Sequence, residues 1–134
     1  YVSRVIASKY NVARVYVTLN GYRNDHFNAY VYVSVDYGTT WKQIMKDLPL
    51  EAVNVITEDN LSSQVLYVGT DGGLYVSTDG GTSSMGWSKG LPNAVPIHDI
   101  VIHPRDNEII LGTHGRSLYT SKLDDLHKKV QVKK

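Results

Sequence analysis

The sequence predicts an all-β fold, made of about three four-stranded antiparallel repeats, in a chain of 134 residues. Three observations carry this expectation. Val65-Leu66-Tyr67-Val68-Gly69-Thr70-Asp71-Gly72 returns as Ile109-Ile110-Leu111-Gly112-Thr113-His114-Gly115, an offset of about 43 residues. The same offset carries Val31-Tyr32-Val33-Ser34-Val35-Asp36 onto Leu74-Tyr75-Val76-Ser77-Thr78-Asp79, and Leu118-Tyr119-Thr120-Ser121 is a third copy one residue late. No stretch keeps a helical spacing of apolar residues beyond a short turn over 123–127. A repeat of this length is the size of one β-propeller blade, so the expected architecture is a partial propeller.

The first unit, residues 1–46, reads as strands over 3–8, 13–19, 29–35 and 40–45. The second, 47–91, reads as strands over 52–57, 64–70 and 73–78, with a short one near Trp87. The third, 92–122, supplies strands over 97–102, 108–113 and 117–122. A basic tail, 123–134, holds a candidate fourth strand over 129–133, where Val130 and Val132 alternate with polar residues. Second strands such as Val65-Leu66-Tyr67-Val68 are nearly continuous in apolar residues, as a strand covered on both faces by neighbouring blades must be. Unit one also carries roughly eight extra residues, Gly21 to Asn28, between its second and third strands; such an insertion lengthens a loop at one end, often the binding end.

Composition excludes several function classes. Fourteen Lys and Arg against thirteen Asp and Glu leave a net charge of +1, so no global field attracts nucleic acid or an anionic membrane, and neither is an expected partner. The chain has no cysteine, which removes disulfides, thiolate catalysis and Cys-based zinc sites. No apolar run reaches the roughly 18 residues of a membrane span. No phosphate loop, Ser-His-Asp arrangement or dinucleotide fingerprint is present, and no cofactor is expected. His98 and His103 are placed for opposite faces of one strand, so no metal site is expected either.

The segment Ser34-Val35-Asp36-Tyr37-Gly38-Thr39-Thr40-Trp41 has the pattern Ser-x-Asp-x-Gly-x-Thr-Trp just after a strand. Its logic is that of a turn: the carboxylate accepts backbone N–H groups across a tight hairpin, glycine supplies a positive φ, and tryptophan buries a large face. Ser77-Thr78-Asp79-Gly80-Gly81-Thr82 begins a second copy, in which about three extra residues precede Trp87, so an interrupted, irregular hairpin is expected there. The third unit lacks the motif. On these residues the chain resembles the BNR or Asp-box propeller superfamily, which includes sialidases, xyloglucan-degrading glycoside hydrolases, sortilin-type receptors and photosystem assembly factors. The segments Leu66 to Thr70, His98 to Pro104 and Gly112 to Arg116 are similar to the C-terminal part of bacterial glycosyl hydrolases with BNR repeats. The resemblance implies a piece of a larger carbohydrate-active protein, extracellular or periplasmic, and it places Ser34, Asp36, Gly38, Thr40, Trp41, Ser77, Asp79, Gly81 and Trp87 in structural turns away from any ligand.

The search for chemistry therefore moves to the opposite loops. There stand Arg23, Asp25 and His26, then Asp71, then His114 and Arg116, with Asp99 at the start of the third unit. A glycosidase needs two carboxylates about 5 to 10 Å apart across a sugar, and by position Asp25, Asp71 and Asp99 are the candidates. A sialidase needs an arginine cluster around a carboxylate, and only Arg23 and Arg116 are available. Neither constellation is complete, so a chain inactive by itself is expected. The alternative is a non-catalytic propeller that holds a protein or peptide with the same loops. The partners expected are a carbohydrate or protein ligand, and either further blades of a parent chain or a second copy to cover the exposed blade faces.

Overall fold

The computed structural model describes residues 2–20, 29–48, 53–59, 62–87, 96–103, 108–113 and 118–122. Strands β1 (Val2–Ala7), β2 (Val15–Asn20), β3 (Ala29–Ser34) and β4 (Lys42–Ile44) pair in that order as one antiparallel sheet. A second sheet follows the same order with β5 (Val53–Glu58), β6 (Leu66–Thr70), β7 (Gly73–Ser77) and β8 (Met85–Trp87). The third contains β9 (Asp99–His103), β10 (Glu108–Gly112) and β11 (Leu118–Lys122). Every predicted strand within the described residues is present, shifted at its ends by the small amount typical of fraying termini. The predicted strand over 129–133, the turn over 123–127 and the 21–28 loop lie outside the described residues.

Each sheet is one blade, and the cores lie between blades. All five residues of β6 are buried. Alternate side chains of a strand point to opposite faces, and accordingly Leu66 and Val68 pack toward blade one while Tyr67 packs toward blade three. The first core joins Tyr16, Val31 and Ile44 of blade one to Val53, Ile56 and Val68 of blade two. The second joins Tyr67, Leu74 and Val76 of blade two to Ile97, Ile109 and Leu111 of blade three. Burial of each such side chain contributes about 1.5–3 kcal/mol, which is why strands such as β6 and β10 are so apolar.

Two bulges set which residues face which neighbour. Pairing slips between Val2 and Arg4 in β1 and between Val53 and Val55 in β5. The extra residue, Asn54 in β5, turns the strand's phase, so Val53 and Ile56 both face blade one while Val55 faces blade three. Close approach follows at Gly69, where an added Cβ would lie 2.7 Å from both Ile97 Cγ2 and Val55 Cγ1.

A polar link joins blades one and two at the far end of β5. Glu58, 1% exposed, accepts from Ser8 Oγ and from Lys9 N, each at 2.6 Å, and Arg14 Nη1 lies 4.0 Å away. Lys9 Nζ donates to the Glu58 carbonyl at 3.2 Å. The adjacent buried Asp59 accepts from the Tyr67 hydroxyl at 2.7 Å and from Ser62 N at 3.0 Å, and its carbonyl accepts from the Tyr10 hydroxyl. Burial first, and then the Asp59 carboxylate, push the Tyr67 phenol far above its ordinary range, so it remains a proton donor. The Glu58 carboxylate is thus committed to joining the two blades and the Asp59 carboxylate to groups of its own blade, each hydrogen-bonded as buried polar groups generally are.

Candidate functional site

In an antiparallel four-stranded meander, the turn between the first and second strands shares an end with the turn between the third and fourth. The Ser34 to Trp41 turn confirms this arrangement, with Tyr37 N donating to Ala13 O at 3.0 Å. Ser34 Oγ accepts from Gly38 N at 2.8 Å and donates to Asp36 Oδ1 at 2.7 Å. Asp36 then accepts from Thr40 N at 2.8 Å and from Thr40 Oγ1 at 2.5 Å. The Thr40 hydroxyl and amide, followed by the Ser34 hydroxyl, hold the Asp36 carboxyl down at about 2. Tyr37 and Gly38 carry the positive φ values, 61° and 89°, that the tight reversal needs.

The second turn is regular, which corrects the expectation of an interrupted hairpin. Ser83 occupies the place of Thr40: its amide and hydroxyl donate to Asp79 at 3.0 and 2.6 Å, and Ser77 Oγ accepts from Gly81 N at 2.9 Å. Partial burial raises the Asp79 carboxyl, and the Ser83 and Ser77 bonds outweigh it, leaving it below the ordinary aspartate range. Trp87 does not close this turn. It pairs with Leu74 as Ile44 pairs with Val31, so it sits within β8 and packs against the core between blades two and three. The position matching Trp41 is Ser84, whose amide and hydroxyl donate to Asp47, in the connection between β4 and β5, at 2.9 and 2.8 Å. Both carboxylates, Asp36 and Asp79, are thus occupied by their own turns.

At the opposite end the inner strands begin, and there the structure assembles a polar corner. Asp71 lies in the turn between β6 and β7 and accepts from Asn54 Nδ2 at 2.9 Å. The same Asn54 Nδ2 donates to Ile97 O at 3.2 Å. One residue on, His98 O accepts from Arg4 Nη2 at 3.2 Å, and Arg4 Nη1 stands 3.7 Å from Asp99 Oδ1. Asp99 also accepts from Ile100 N at 3.0 Å. The segment itself is anchored to both flanking sheets, by Ile97 N donating to Thr70 O and His98 N donating to Gly112 O, each at 2.8 Å. Two of the three carboxylates expected on the ligand loops, Asp71 and Asp99, are therefore gathered at the junction of blades two and three.

Arg23, Asp25, His26, His114 and Arg116 lie outside the described residues. Arg4 and Asn54 are the members that sequence reasoning passed over. Their signal is a polar residue just before the paired apolar residues of an inner strand, Arg4 before Val5-Ile6 and Asn54 before Val55-Ile56. Chemically the corner offers two carboxylate acceptors and one guanidinium whose remaining N–H groups are directional donors, a set suited to orienting hydroxyl groups. Among the described residues no group of three His, Cys, Asp or Glu is placed to hold a metal ion.

No family model matches the sequence, and no curated protein matches it. Solved structures do match, 24 chains in all. An ancestral GH74 enzyme superposes with a TM-score of 0.68 at 25% identity, over 86% of this chain and 14% of its own. The GH74 enzyme of Niastella koreensis gives 0.72 at 20% identity, over 90% of this chain and 21% of its own. The GH74 xyloglucanase from Xanthomonas campestris gives 0.69 at 19% identity, over 90% and 22%. This chain thus spans about a fifth or less of the length of the glycoside hydrolases it resembles, and it shares with them the blades of a β-propeller.

Proposed function

We propose that this chain is a carbohydrate-binding section of a propeller glycoside hydrolase of extracellular or periplasmic type, and that alone it binds sugar without cleaving it. The observation that supports the reading most is the corner at the junction of blades two and three, where Asp71 and Asp99 are each tied to a fixed donor at the end opposite the Asp-box turns. Carboxylates and a guanidinium held in this way present oriented acceptors and donors to a polyol. The likeness of the fold to GH74 enzymes, one of them a xyloglucanase, makes a β-glucan backbone the ligand class to try first.

Affinity electrophoresis in gels containing xyloglucan or mixed-linkage glucan, with a reducing-end assay on the same sample, tests both halves. Retardation without new reducing ends is expected, with retardation reduced several-fold in Asp71→Asn and Asp99→Asn. Migration unchanged by every polysaccharide overturns the binding claim. Hydrolysis abolished by Asp71→Asn overturns the claim that the chain alone is inactive.

A further inference from the structure

The junction of blades one and two holds a cavity of about 270 Å³ beside the outer strand β4, away from the polar corner at the inner strands. Residues 42–46, which are β4 and its exit, form one wall, and residues 80–82 of the second turn form the other. Met45 N donates to Gly81 O at 2.7 Å, which fixes the two walls against each other. Ile44 and Met45 are buried and give the cavity an apolar floor.

Two ammonium groups stand at its rim. Lys42 and Lys46 are both exposed and both line the cavity, although residues four apart on an extended strand are about 13 Å apart. The turn between them is made by Met45, whose φ of 52° is left-handed, an uncommon conformation for a residue other than glycine. Among the described residues no carboxylate forms an ion pair with either lysine. The carboxylates on adjoining residues are occupied elsewhere, Asp79 by Ser77 and Ser83 and Asp47 by Ser84. Nor does the repeat require a cation here, since Lys42 stands opposite Val33 as Met85 stands opposite Val76.

We propose that this cavity binds a single acidic sugar, a uronic acid residue, at a site separate from the inner corner. The sugar carboxylate meets the two ammonium groups, and the C–H face of the ring lies on the floor of Ile44 and Met45. The Gln43 amide offers the ring hydroxyls both a donor and an acceptor. The Thr82 hydroxyl donates to Asp79 O at 3.3 Å, which leaves its lone pairs to accept. The volume suits one ring and not a longer chain, since pockets for larger molecules begin at roughly 300 Å³. The sugar as carrier of the anion rests on the carbohydrate reading above, whereas the preference for negative charge rests on the lysines alone.

Amide NMR titrations of the isotope-labelled chain at neutral pH and low salt test this, with methyl β-glucuronide, methyl β-glucoside and sodium acetate as probes. The glucuronide is expected to shift the amides of Lys46, Gly81 and Thr82 with millimolar affinity, and the other two probes to bind far more weakly. Lys42→Met and Lys46→Met should each weaken glucuronide binding about two- to five-fold, the worth of an exposed ion pair. Both lysines are exposed, and the same spectra verify that the variants fold. No shift with glucuronide up to its solubility overturns the proposal, as does an affinity that neither substitution changes. Equal binding of the glucoside overturns the role of charge, and equal binding of acetate overturns the sugar. Neutral glucans in the affinity gel read the inner corner, so the two readings fail separately.

Discussion

At the scale of single residues, Gly69 and Gly112 separate what the repeat requires from what the neighbour requires. Both occupy the same repeat position, but only Gly69 has another blade pressed on its Cα. Gly69→Ala is expected to destabilise the chain by about 1–3 kcal/mol, the usual cost of overpacking. Gly112→Ala, followed in urea melts, should fall within about 0.5 kcal/mol of wild type. Asp36 gives a second residue-level expectation. Its carboxyl is held at about 2 in the folded chain, below the value near 3.9 of an unfolded aspartate. The stabilisation is therefore complete above about pH 4 and is lost as pH falls through about 2. Melting temperatures of wild type and Asp36→Asn should converge as pH is lowered across that window, and a constant difference would show that the charge contributes nothing.

Among the elements, β5 does most to join the molecule, because it meets blade one with Val53 and Ile56, blade three with Val55, and the β1–β2 turn with Glu58. Removing a buried, paired carboxylate leaves its donors without partners. Glu58→Ala is expected to cost about 3 kcal/mol and to loosen blade one in particular, read as faster amide exchange in β1 and β2 than in β10. Uniform exchange acceleration would locate the role elsewhere. The elements were also the most legible part of the sequence. Continuous apolar second strands and the Ser-x-Asp-x-Gly turn announced the meander, since hydrophobic period and turn chemistry are local. Trp87 was misleading for the same reason: it was matched to a motif by residue type, while register placed Ser84 at that position and Trp87 in the interblade core. The bulge at Asn54 was invisible because an extra residue is defined only against the partner strand.

On the scale of the whole molecule, the candidate site was half legible. Asp71 and Asp99 could be placed by counting strands, but their partners could not. Asn54 reaches Asp71 from 17 residues away, and Arg4 reaches His98 from 94. The first pair depends on the bulge within β5 and the second on how far one blade rotates against the next, and no local pattern encodes either. Salt offers a further check on the corner: the Arg4–Asp99 pair is well exposed and worth at most about 1 kcal/mol, and Arg4→Met should lower stability at low ionic strength and much less at high.

Repeat arrays are ordinarily treated as one-dimensional, each unit coupled only to its immediate neighbours, so that total stability is a sum along the chain. Arg4 breaks that rule here. Rooted in blade one, its guanidinium contacts blade three at His98 and Asp99. The array therefore has a second-neighbour coupling on its inner side, like a chord drawn across an arc. A tie of this kind penalises straightening, and it makes the loss of either end blade felt at the other without any change in the blade between them.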